Sequence, residues 1–269
     1  MTLPTSRLDN PVSARAGAAV PEVTIPQYGW RAVLAVWAAA AMPMGVLAWF
    51  VAPALGERLA GDGDVPTAKA LLLCLTVGLV WQFVLVAILV WREQRSLRWP
   101  VLREALWLRS PMSPKSGRRG GWVWLVLIPL TVLFAAEGLL PDLYALPASH
   151  DLPTFLGSDA GQSFLSGNWT WFGLLVVSVA FNTVLGEELL FRGFLLPRMN
   201  GAFGRGDWLA NGVLFAAYHL HMPWSMLATL VDAFVLAYPT KRYRSAWIGI
   251  AVHSTQSVVI VALVLPLVV

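Results

Sequence analysis

Charge and cysteine are what this chain has least of. Only 13% of its 269 residues are charged, about half the share found in an ordinary soluble domain. A chain that is 57% hydrophobic cannot hide all its apolar surface from water, which excludes a cytosolic globular protein. There is a single cysteine, Cys74, so an intramolecular disulfide and a cysteine-rich metal site are excluded as well. Cys74 lies within an apolar stretch and reads as a small buried hydrophobe. Residues 1–28 have no apolar run and no hydrophobic stretch directly after Arg7 or Arg15. They read as a disordered cytoplasmic tail, not a cleavable signal peptide.

The little charge present is unevenly placed. A net charge of +4 could suggest nucleic acid, but the Lys and Arg residues cluster between apolar runs, as topology determinants do. No nucleic-acid partner is expected; the lipid bilayer is. Apolar segments follow one another at 30–55, 67–91, 122–140, 169–197, 206–221, 223–239 and 245–268, most of them near the ~20 residues needed to cross the hydrocarbon. The expected fold is all-α: a polytopic transmembrane helical bundle of about seven membrane helices. The fifth and sixth form a short buried pair that meets at His221-Met222-Pro223-Trp224, where proline ends one helix and begins the next. Trp30, Trp99, Trp122, Trp169 and Trp171 read as interface anchors.

The organisation expected is a tail at 1–28, N-terminal membrane helices at 29–140, an external loop at 141–168 and a catalytic membrane domain at 169–269. Segment 92–121 carries eight Lys and Arg residues against Glu93 and Glu104, whereas 141–168 has Asp142, Asp151 and Asp159 and no Lys or Arg. The positive-inside rule makes the first loop cytoplasmic and the second external. Arg198, Arg205, Lys241, Arg242 and Arg244 then also fall inside.

Ionisable groups within spans are expensive and face a bundle interior or a cavity. They gather in the C-terminal half: Glu187, Glu188, Arg192, His219, Asp232 and His253. Glu187 lies eleven residues before Arg198, roughly 16 Å along a helix. His219 is roughly 20 Å past Arg205, and His253 roughly 13 Å past Arg244, by the same rise. Three helices thus bring one carboxylate and two imidazoles to similar depth. Glu188 and Arg192 are i,i+4 and form an ion pair, which frees Glu187, rotated about 100° away, to face a cavity. Phe215 gives His219 an aromatic floor, and Ser257 shares a face with His253 and can support an oxyanion. A carboxylate with two imidazoles can activate water directly or through a bound metal, and two His plus a carboxylate is a catalytic zinc set. No His-Glu-x-x-His helix is present. His221 reads as a polar turn residue, His150 as solvated in the outer loop, and Asp232 as a partner for a histidine or a cavity-facing group.

At these residues the chain resembles a known family. Glu187-Glu188-Leu-Leu-Phe-Arg192 matches the EExxxR signature of the CPBP intramembrane proteases, which include the CAAX prenyl endopeptidases and the bacteriocin-processing and immunity proteins. Phe215-Ala-Ala-Tyr-His219 matches the FxxxH motif, and Tyr243 to Trp247 with His253 resembles the remaining ones. The likeness covers about 169–260. It implies a catalytic cavity reached from the cytoplasmic side of a prokaryotic plasma membrane, with Glu187 and His219 activating water, His253 stabilising the oxyanion or binding metal, and Arg192 holding Glu188. A divalent ion, zinc, on Glu187, His219 and His253 is the cofactor it suggests. A membrane-associated protein or peptide is the implied substrate. Ser257 stands where the family has Asn, and Asp232 where it is generally apolar. A non-catalytic immunity or scaffold protein and a proton-coupled transporter are the competing functions. Polar residues confined to one half disfavour the transporter.

Overall fold

The computed structural model describes residues 23–59, 61, 63–144 and 150–269. Most of the expected tail at 1–28, and part of the expected external loop, lie outside these. Among the described residues there is no strand, only one isolated antiparallel pairing of Met112 with Arg119. Five helices among the described residues are long and apolar enough to cross a membrane: α1 (Trp30–Gly56), α2 (Val65–Gln94), α3 (Gly121–Leu139), α4 (Trp169–Arg198) and, numbered after the shorter α5 (Asp207–Tyr218), α6 (Ala246–Val268). The chain is a multi-pass membrane protein with an all-α helical bundle. Apolar side chains left exposed on these helices, among them Phe50, Ile128, Val132, Val258 and Leu263, are where lipid takes the place of a core.

The expected seven spans resolve into five of full length plus an interrupted region. α5 has 12 residues, roughly 18 Å at the helical rise, too short to cross alone. After it, the segment 223–243 breaks into Pro223–Ser225, Met226–Thr229, Ala233–Ala237 and Tyr238–Tyr243. Broken backbone at membrane depth is tolerated only where protein or a wet cavity surrounds it. Gly212 of α5 allows that packing: a Cβ there would overlap Ala233, so the two backbones touch, as small residues permit in membranes.

Proline inside a span leaves a carbonyl without its donor, and the structure answers this at Pro43 of α1. Its missing N–H would have served Ala39, and the indole of Trp81 on α2 donates to that carbonyl at 2.8 Å. Trp37 and Trp49 likewise donate to the carbonyls of Leu214 and Leu220, at 2.8 and 2.6 Å, so these indoles staple α1 to the α5 region. Of the residues read as interface anchors, Trp30, Trp99, Trp122 and Trp169 are exposed.

The bundle has two distinct ends. At the basic end, the buried guanidinium of Arg198 binds Glu93 from α2 with contacts of 2.6–3.1 Å and donates to the Ala105 and Phe194 carbonyls. Tyr28 also hydrogen-bonds Glu93, and burial with that carboxylate pushes its phenol above the ordinary value, so it stays a donor. Lys241 pairs with Asp207, and Ala246 N–H donates to Trp107 at 2.9 Å. Arg198, which the loop pattern marks only as a topology signal, is therefore also a structural clamp. At the opposite end, Leu143 N–H meets the Trp224 carbonyl at 2.9 Å and Gly167 N–H meets that of Val268 at 3.0 Å.

Candidate active site

The carboxylate pair sits on unusual backbone. α4 is π-helical over Phe181–Gly186 and again over Leu189–Leu195, with Glu187 and Glu188 between the two stretches. Such wide turns are uncommon and concentrate at functional sites. Gly186 lies against the Leu79 carbonyl of α2, a close approach that a side chain would obstruct.

The two glutamates have separate roles. Glu188 is fully buried; its Oε1 lies 3.1 Å from an Arg192 nitrogen and 3.1 Å from His253 Nδ1. Gly249 on α6 makes room for it, since a Cβ there would overlap Glu188 Oε2. Arg192 lies over the Phe215 ring at 3.9 Å, and Phe215 in turn meets His219 edge-on at 4.9 Å and His253 at 6.2 Å. Glu187 is also buried but has no cationic partner within ion-pair distance among the described residues. With the Asn182 amide nitrogen turned toward it, Asn182 donates to Glu187 Oε1 at 2.9 Å. Tyr218, whose hydroxyl accepts from Gln82 at 2.6 Å, is a further hydrogen-bond partner of Glu187.

The histidine tautomers follow from their partners. His219 terminates α5, and its Nδ1 lies 2.9 Å from the Phe215 carbonyl, an oxygen that only accepts. Nδ1 therefore carries the proton and Nε2 is left for the cavity. His253 Nδ1 likewise donates to the Glu188 carboxylate, a contact that a neutral imidazole and an imidazolium can both make.

Glu187, His219 and His253 all line one cavity of about 260 Å³, together with Asn182, Glu137 and Asp232. Glu188 and Arg192 stand behind its wall. Three side chains expected at similar depth on separate helices thus line the same cavity. Ser257 is elsewhere: its hydroxyl meets Thr183 Oγ1 at 2.9 Å and donates to the Val179 carbonyl at 3.2 Å, so it ties α6 to α4. Its neighbour Gln256 lines the cavity instead. His221 lines it too, stacked on His219 at 5.4 Å, and is not simply a turn residue; Asn182, Tyr218 and His221 are the site residues that sequence reasoning missed. His150 stacks on Trp49 and also reaches the cavity.

Residues 168–259, about a third of the chain, match the family model for Rce1-like proteins, described as type II CAAX prenyl endopeptidase Rce1-like. This segment is similar to that family. No curated protein and no solved structure matches the chain. The Rce1-like segment holds both glutamates, Arg192, His219, Asp232 and His253, but not Glu137 or the loop at His150.

Among the described residues, no group of three or more His, Cys, Asp or Glu side chains is placed to hold a metal ion. Each imidazole has the hydrogen bond on Nδ1 that often orients a metal ligand, yet the set does not close. The cavity also avoids the basic end. Its lining includes His150, Asp151, Leu152, Pro153, Met222 and Trp224, from the end of the bundle away from Arg198, whereas the family resemblance implies an opening on the basic side. The reason is the course of α4: the cavity follows Leu175, Ser178 and Val179, away from Arg198.

Proposed function

We propose that this protein is an intramembrane endopeptidase that hydrolyses a peptide bond of a membrane-associated protein or peptide with a water activated by Glu187. The observation that carries the reading is the division of labour between the glutamates. Glu188 is consumed by Arg192 and His253, while Glu187 faces the cavity held only by neutral donors. A carboxylate so placed is a general base.

In the proposed sequence, Glu187 takes a proton from water while His219 Nε2 accepts the water's second hydrogen bond. Hydroxide adds to the scissile carbonyl carbon. The resulting oxyanion is met by His253, whose imidazolium, steadied by Glu188, donates through Nε2. As the C–N bond breaks, Glu187 returns its proton to the leaving amine. Asn182 and Tyr218 keep Glu187 oriented.

No step runs through a metal, because the donors do not close on one. A resident zinc is a separate proposal: cleavage that survives thorough chelation removes it, and cleavage lost on chelation and restored by zinc requires both Nε2 atoms to converge. By the positive-inside rule the basic end is cytoplasmic, so the proposed cavity opens away from the cytoplasm. The test is cleavage of membrane-tethered peptides by the reconstituted protein beside His219→Ala and His253→Ala. Loss in both, with unchanged folding, is the expected result; full activity in either variant overturns the role proposed for that histidine.

A further inference from the structure

The cavity wall carries an imbalance of charge that the proposed hydrolysis does not use. Among the described residues its ionisable lining is Glu137, Asp151, Glu187, Asp232 and four histidines, with no Lys or Arg. Asp232 is 2% exposed, and one of its carboxylate oxygens, Oδ1, has no hydrogen-bond partner among the described residues. Buried polar oxygens are almost always satisfied, and an orphan calls for a specific explanation. The basic groups at this part of the cavity, His253 in its lining and Arg192 behind it, are already engaged by Glu188. Glu137, from α3, lines the same cavity as Asp232. Two acidic side chains from separate elements thus line one cavity, and among the described residues neither has an ion-pair partner.

We propose that Glu137 and Asp232 form a subsite that receives a positively charged side chain, Lys or Arg, of the peptide substrate. An incoming ammonium or guanidinium supplies the donor that Asp232 Oδ1 lacks and offsets the carboxylate excess in a poor dielectric. The acidic lining also favours entry of a cationic segment, since clefts of one sign concentrate the opposite charge. Asp232 lies within the Rce1-like segment but Glu137 outside it, so this pair joins the matched half of the bundle to the rest. A peptide as the occupant rests on the peptidase reading, but the subsite is testable without turnover.

The experiment uses palmitoylated peptides identical except at one scanned position, which carries lysine, acetyl-lysine or glutamate. Binding is measured to the full-length Glu187→Gln protein in lipid nanodiscs, and cleavage is measured with wild type. At one position the lysine peptide is expected to bind about tenfold or more tighter than the acetyl-lysine peptide, as befits a charged hydrogen bond. Asp232→Asn and Glu137→Gln, each added singly, are expected to erase that preference while neutral peptides bind as before; their melting temperatures show that the fold is kept. Equal affinity for lysine and acetyl-lysine at every position overturns the subsite. A preference for lysine that survives both substitutions also overturns it. If lysine peptides bind selectively but wild type cleaves nothing, the peptidase reading fails and the subsite stands.

Discussion

At the scale of single residues, the site depends on keeping two adjacent glutamates in different environments. Glu188 sits in a slot that only glycine at 249 leaves open. Gly249→Ala is expected to push the carboxylate off His253 and to cost about 1–3 kcal/mol through overpacking; a lowered melting temperature together with lost activity checks it. Arg192→Leu leaves Glu188 buried beside a single imidazole and is expected to destabilise by about 3–5 kcal/mol, the cost of breaking a buried pair. Unfolding in detergent measures this, and an unchanged melting temperature contradicts it. The i,i+4 spacing made the Glu188–Arg192 pair legible in the sequence, and helical rise brought His219 and His253 to the same depth. Asn182, five residues before Glu187, was not legible, because its reach depends on the π-turns and no motif marks them. Ser257 misled for a related reason: sharing a helix with His253 did not mean facing the same cavity, and its hydroxyl found Thr183 and Val179 instead.

At the scale of elements, spans are shaped by where backbone groups lose their partners. Pro43 leaves the Ala39 carbonyl free and Trp81 supplies the donor. Trp81→Phe is expected to cost about 1–3 kcal/mol, because an unsatisfied group in an apolar setting is expensive. The added substitution Pro43→Ala restores the N–H and is expected to recover most of that loss. A double variant no more stable than Trp81→Phe alone contradicts the pairing. Periodicity and length revealed the five long helices, and Pro223 correctly marked a break. They did not separate full spans from interrupted ones, because α5 and the segments up to Tyr243 are apolar yet broken, and composition does not distinguish a short buried helix from a crossing one. His219 owes its place to such a break: it stands where α5 ends, and its ring takes the Phe215 carbonyl.

At the scale of the molecule, loop charge separates a basic end of the bundle from an acidic one. The Glu93–Arg198 clamp, with Tyr28 beside it, closes one end, and the cavity approaches the other. Loop charge made the two ends of the bundle legible; the direction of the cavity was not, since it depends on which end of α4 the neighbouring helices leave uncovered. Single cysteines at Lys115 and at Asp151, in a Cys74→Ser background, test the direction on intact cells. A membrane-impermeant maleimide is expected to label the Asp151→Cys protein and not the Lys115→Cys protein; the reverse pattern turns the molecule over. The most direct test of the central claim is the rate at which Glu187→Gln protein cleaves a peptide that wild type cleaves. Glutamine keeps the shape and removes the base, so the rate is expected to fall by about 10²–10⁴-fold with the melting temperature unchanged. Cleavage at the wild-type rate would contradict the account.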